Sequence, residues 1–226
     1  MLYVLRLSIP NVYLITGERR VLVDAGGPKD VPRIISFLQT HRVEPGKLQM
    51  ILLTHGHWDH AGGAAELKAA LRAPVAIHRA DADFVRRGIN GLLKATNLTG
   101  WLLRRFLDRS YPPFEPDILI EGEMDLAAFG VAAKVLHTPG HTPGSLSVRT
   151  ADAEIIVGDL LMGGWLGGTL FPTWPGLHYY AEDLAQVHAS VRRVVADSPR
   201  LIHPGHGGPL DPLKVARQFA LGLGRV

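Results

Sequence analysis

Thr54-His-Gly-His-Trp-Asp-His60 follows the apolar run Met50-Ile-Leu-Leu53 and packs four candidate metal donors, His55, His57, Asp59 and His60, into six residues. An extended backbone alternates its side chains, so His55 and His57 can aim at one ion. The turn that follows sends Asp59 and His60 elsewhere, a spacing that suits two metals better than one. Further donors also follow short apolar segments and sit beside glycine: His141 in Thr138-Pro-Gly-His-Thr-Pro-Gly-Ser145, Asp159 in Ile156-Val-Gly-Asp-Leu-Leu161, and His206 in Leu201-Ile-His-Pro-Gly-His-Gly-Gly208. Five His and two Asp suffice for two divalent ions with positions left for water and substrate. By spacing alone, His137 and His203 are placed nearly as well as His141 and His206.

The pattern resembles the metallo-β-lactamase-fold hydrolase superfamily, from Asn11-Val-Tyr-Leu-Ile15 through Leu22-Val-Asp-Ala-Gly26 to Pro204-Gly-His-Gly207. The resemblance implies one ion on His55, His57 and His141, a second on Asp59, His60 and His206, and Asp159 bridging them. It favours the histidine after Pro-Gly in both ambiguous cases, leaving His137 and His203 in structural roles. It also implies an α+β fold, a four-layer αββα sandwich of two mixed β-sheets flanked by helices, with one domain over 1–226. Asp24 reads either as the orienter of a ligand or as a turn aspartate before Gly26 and Gly27.

Such a donor set predicts a binuclear metal-dependent hydrolase. Two cations lower the pKa of a bound water from 15.7 toward about 7, so that a bridging hydroxide attacks a polarised carbonyl, with Asp59 ligating and orienting it. Zinc is the first candidate metal; iron or manganese also suits imidazole with carboxylate. The closest resemblance is to short glyoxalase II-like members, acting on a small ester, thioester or lactone. The chain ends 20 residues after His206, where full-length glyoxalase II enzymes carry a glutathione-binding extension, so glutathione thioesters are not expected as substrates. Acyl-homoserine lactonases of this family place a tyrosine three residues after the bridging aspartate; here Met162 stands there. Two alternatives remain: a mononuclear-iron oxygenase resembling persulfide dioxygenase, and a nucleic-acid phosphodiesterase.

Composition is compatible with one compact core: 226 residues, 46% hydrophobic, with mean hydropathy +0.11. The absence of Cys excludes disulfides and thiolate ligands. No secretory signal and no stretch of transmembrane length is recognisable, so a cytoplasmic protein without stable membrane insertion is the expectation. Charge is uneven. Residues 84–114 carry six cations against the single acid Asp108, in a chain whose total is only +3. The same residues hold Leu92, Leu93, Leu98, Trp101, Leu102, Leu103, Phe106 and Leu107, which predicts an amphipathic helical insertion broken near Gly100. A cap, a lid, a homodimer surface or a membrane-surface contact would each use that pattern. A small-molecule substrate is expected as partner, and nucleic acid is not.

Hydrophobic periodicity predicts helices over 31–40, 61–71, 181–195 and 212–221, alternating with short strands. The stretch Gly163 to Tyr180 is rich in glycine and proline and reads as an irregular loop. Its Trp165, Phe171, Trp174, His178, Tyr179 and Tyr180 are the candidate substrate-binding residues. His41, His78 and His188 have no assigned role.

Overall fold

The computed structural model describes residues 1–219. The chain opens with the antiparallel strands β1 (Leu2–Arg6), β2 (Asn11–Thr16) and β3 (Arg20–Val23), then passes through α1 (Val31–Thr40) to β4 (Leu48–Leu52). Helices α2 (Trp58–Ala61) and α3 (Ala64–Leu71) lead to β5 (Val75–His78), and the insertion supplies α4 (Ala82–Arg87) and α5 (Leu98–Leu107) before β6 (Ile118–Ile120). Strands β7 (Met124–Asp125), β8 (Ala133–His137), β9 (Leu146–Thr150) and β10 (Glu154–Gly158) follow. The hairpin of β11 (Met162–Trp165) and β12 (Leu170–Gly176) precedes α6 (Leu184–Ala196), β13 (Leu201–Pro204) and α7 (Pro212–Gln218).

Among the described residues, β1 to β6 form a six-stranded sheet in chain order, antiparallel from β1 to β3 and parallel from β3 to β6. A five-stranded sheet runs β13-β10-β9-β8-β7, with β13 parallel to β10. Period-two alternation decides the layers. In β2, Tyr13 and Ile15 join Val23, Met50, Val135, Val148 and Ile156 in the core between the sheets. Val12 and Leu14 face the other way, with Leu22, Ile51 and Leu53, under Ile34 and Leu38 of α1 and Leu67 of α3. On the far side, Ile155 and Val157 of β10 pack against Val187, Val191 and Val194 of α6 and Val215 of α7. The four-layer αββα arrangement is therefore built by which face of each strand is apolar.

Three local expectations change. The helix expected from Ala61 starts earlier, at Trp58, and is split into α2 and α3 at Gly62-Gly63. The insertion is broken between Arg87 and Leu98, not at Gly100. Gly100 lies inside α5 because a Cβ there would meet the Tyr179 carbonyl oxygen at 2.4 Å, so glycine lets the helix lie directly on that strand-like segment. The stretch expected to be irregular contains the β11–β12 hairpin, a separate two-stranded sheet whose prolines, Pro172 and Pro175, occupy an edge position that lacks further ladder partners. The closing helix is described to Gln218; residues 220 and 221 of the expected helix lie outside the described residues. Among the described residues, no helix is long and apolar enough to cross a membrane.

Candidate metal centre

His55 and His57 lie just beyond β4, Asp159 follows β10, His206 follows β13, and His141 sits in the β8–β9 connection. The donors thus converge on one edge of the sandwich, at the carboxyl ends of three strands. His141 Nε2 is 3.0 Å from His57 Nδ1, and both share a donor cluster with His55. A second cluster joins Asp59, His60 and His206, with His60 Nε2 at 3.4 Å and Asp59 Oδ2 at 3.5 Å from His206 Nε2. Asp159 stands between them: Oδ1 is 3.2 Å from His60 Nε2, and Oδ2 is 3.3 Å from His206 Nε2 and 3.6 Å from His141 Nε2.

The donors fit a metal for reasons of hydrogen bonding. His60 Nδ1 contacts Asp24 Oδ2 at 2.8 Å, His141 Nδ1 contacts the Tyr180 carbonyl at 2.8 Å, and His206 Nδ1 contacts the Ile9 carbonyl at 3.0 Å. Each Nδ1–H is therefore committed to an oxygen acceptor, which leaves the Nε2 lone pair facing the centre. His55 Nε2 and Asp159 Oδ1 are buried without a hydrogen-bond partner. Buried lone pairs without a hydrogen-bond partner are costly, and a cation among them would satisfy them.

Electrostatics sort the ligands. Burial, reinforced by neighbouring imidazoles, pushes His55 and His57 well below the ordinary histidine pKa, so both are neutral and able to ligate. Burial opposes charge on His60 as well, but Asp159, Asp24 and Asp59 outweigh it and hold its pKa well above the ordinary value. Asp159 is held well below the usual carboxylate range by His178, His206 and His60, against the effect of burial.

Several supporting residues carry no sequence signature. Buried Asp81 accepts from Gly56 N–H at 3.0 Å, Thr142 hydroxyl at 2.7 Å and Gly144 N–H at 2.7 Å, clasping the His55-Gly-His57 loop to the His141 loop. Burial raises its pKa to about 6. Asn90 Oδ1 accepts from Trp58 N–H at 2.8 Å, while its amide donates to the Leu107 and Arg109 carbonyls, tying the insertion to the metal loop. Asn11 donates to the carbonyls of Pro204 and Gly207, and Tyr13 hydroxyl to Pro204, fixing the His206 loop from the first sheet.

A cavity of about 210 Å³ opens onto the donors. Its walls include Leu93, Leu103 and Leu107 of the insertion, Met162, and Leu166 at the hairpin tip; its floor includes Asp59, Asp159, His178 and His206. Tyr179 and Tyr180 line it too. Trp165, Phe171 and Trp174 do not line it; Leu166 and Gly167 of the same hairpin do. His178 is brought into the centre, with Nε2 at 3.3 Å from Asp159 Oδ2, and burial lowers its pKa to about 3. His137 and His203 stand apart, bonded to the Pro143 carbonyl and to Glu154. The insertion contributes Leu93, Leu103 and Leu107 to the cavity, while its Leu98, Trp101, Leu102 and Phe106 face solvent.

The family model for the metallo-beta-lactamase superfamily matches residues 5–206. The chain belongs to the metallo-beta-lactamase superfamily. Among curated relatives of this superfamily member, the probable metallo-hydrolase YqgX of Bacillus subtilis is 30% identical over 70% of this chain and 68% of its own length. A hydroxyacylglutathione hydrolase of Anaeromyxobacter dehalogenans is 29% identical over 85% of this chain; the match spans 59% of that protein. Among solved structures, the B3 metallo-beta-lactamase BLEG-1 superposes with a TM-score of 0.73 at 25% identity, covering 99% of this chain and all of that one. A di-iron-bound form of TTHA1623 gives 0.67 at 30% identity over 96% and 97% of the two chains. Family membership and the His/Asp donor cluster together make this superfamily protein a metal-dependent hydrolase.

Proposed function

We propose that the protein is a binuclear hydrolase of a small ester, thioester or lactone with an uncharged, apolar acyl group. The observation that carries this reading is the joining of two donor clusters by Asp159 at the floor of a small cavity with leucine and methionine walls. His55, His57 and His141 would hold one ion and Asp59, His60 and His206 the other, with zinc first and iron or manganese as alternatives. Bound there, such ions would supply an activated water at neutral pH and polarise a carbonyl oxygen.

The chain's own residues do the rest. Leu93, Leu103 and Leu107 exclude water and receive the acyl group. Asp59 is the partly exposed carboxylate of the centre, placed to accept a hydrogen bond from an attacking water and orient it. No Lys or Arg lines this cavity among the described residues, so no side-chain cation there pairs with the carboxylates of glutathione. The di-iron form of TTHA1623 keeps iron open as the metal without favouring an oxygenase.

The test is elemental analysis of protein purified without chelator, followed by a panel of aryl esters, thioesters and lactones. About two metal ions per chain and turnover abolished in His57→Ala support the reading. One ion per chain, or turnover that survives His57→Ala, overturns it.

A further inference from the structure

Three histidines of the centre share one hydrogen-bonding logic, and His178 reverses it. His60, His141 and His206 present Nε2 as a lone pair because Nδ1 faces an acceptor. In His178 the polarity is reversed: Nδ1 accepts the Tyr180 backbone N–H at 3.3 Å. A neutral imidazole whose Nδ1 is an acceptor carries its proton on Nε2. That Nε2 points to Asp159 Oδ2 and lines the cavity. Ring packing fixes the orientation, with His178 stacked on His206 at 5.4 Å and edge-on to His141 at 4.7 Å.

Two tyrosines line the same cavity. Tyr179 hydroxyl accepts from Leu166 N–H at 2.9 Å, and Tyr180 hydroxyl donates to the Gly100 carbonyl at 2.9 Å. Met162 has no donor at all. His178 presents a side-chain N–H that faces both the centre and the space for substrate.

Resting on the hydrolase reading, we infer that His178 is a donor and not a ligand: its Nε2–H takes the substrate's carbonyl oxygen and strengthens that bond as the oxygen gains charge. When substrate enters, this N–H exchanges its contact with Asp159 for the carbonyl oxygen, and no proton leaves the ring. A donor aimed at developing negative charge typically contributes about 10²–10³ in kcat. Glutamine offers an amide N–H near the same place, whereas phenylalanine keeps the ring without the donor.

The experiment combines kinetics, metal content and nitrogen NMR on the metal-loaded protein. For His178→Phe, kcat on the best ester or lactone should fall about 100-fold with KM within about threefold, and His178→Gln should recover at least about tenfold of that loss. Metal content should equal that of the wild type in both variants. ¹⁵N-labelled histidine spectra, with His178 assigned by the loss of its signals in His178→Gln, should show it protonated at Nε2. A drop in bound metal, or an Nδ1-protonated ring, overturns the inference and makes His178 a ligand; an unchanged kcat overturns it outright. If the wild type hydrolyses none of the carbonyl substrates, the hydrolase reading fails first, and the NMR arm still decides between donor and ligand.

Discussion

Asp24 Oδ2 lies 2.8 Å from His60 Nδ1, while the same carboxylate accepts from the backbone N–H of Thr54 at 2.7 Å and from its hydroxyl at 3.0 Å. Asp24 is fully buried and adopts a left-handed backbone, φ +67°, which lets the carboxylate turn back beneath the donor loop. One side chain therefore sets the start of the His55-Gly-His57 segment and the tautomer of a ligand of the other cluster. Asp24→Asn should weaken metal binding by about 10- to 100-fold, chiefly at the Asp59–His60–His206 cluster, as chelator competition would show. Unchanged affinity would assign Asp24 to the turn alone.

Asp81→Ala leaves three buried donors, Gly56 N–H, Gly144 N–H and the Thr142 hydroxyl, without their acceptor. Unsatisfied buried groups cost about 1–3 kcal/mol each, partly relieved by entering water, so a loss of about 3 kcal/mol is expected in denaturant unfolding of the metal-free protein. The variant should also bind its first ion less tightly, because the two loops that carry His57 and His141 lose their common anchor.

Gly205→Ala tests how tightly the last donor loop passes under the centre. A Cβ there would lie 2.2 Å from Asp159 Oδ1 and 2.6 Å from His60 Cε1. Both ligands must shift, so metal content by elemental analysis should fall toward one ion per chain or fewer, with helix content by circular dichroism retained.

His78 predicts a pH effect remote from the centre. Its ring stacks on His137 at 4.0 Å and 9°, and burial, helped by His137 and opposed by Glu121, lowers its pKa from 6.5 to about 4. The unfolded chain binds this proton more readily than the folded one, so the contribution to stability is present above pH 6.5 and is lost as pH falls toward 4. His78→Gln should flatten the acid limb of stability across that window; an identical slope would remove His78 as its source.

Much of this was legible because metal donors and apolar periodicity are local signals. The run Met50–Leu53 followed by alternating histidines marks a strand and its mouth, and the continuous apolar run Val12 to Ile15 fits a strand buried on both faces. Gly100 misled because glycine lowers helix propensity, whereas here the deciding fact is the approach of Tyr179, invisible in one dimension. The hairpin at Met162–Gly176 was hidden by glycine and proline, which strands tolerate at an edge. Trp165, Phe171 and Trp174 drew attention as large aromatics, yet which side of a hairpin faces a pocket depends on register, and Leu166 took that place. Asp81 and Asn90 could not be found from sequence, since their importance comes from loops that meet only in the folded chain.

Asn11 and Tyr13 grip the loop of His206, nearly two hundred residues later in the chain, and Ile9 receives that histidine's Nδ1–H. On a ribosome the cluster of His55 to His60 emerges long before Asp159 and His206 do. At about 5–20 residues per second, roughly 7 to 30 seconds separate His60 from His206. In that interval the nascent chain displays an incomplete set of imidazoles, able to hold a passing ion loosely but not to enclose it. The donor set is complete only when the closing strand delivers His206, and Asn11 and Tyr13 then join the earliest part of the chain to its loop.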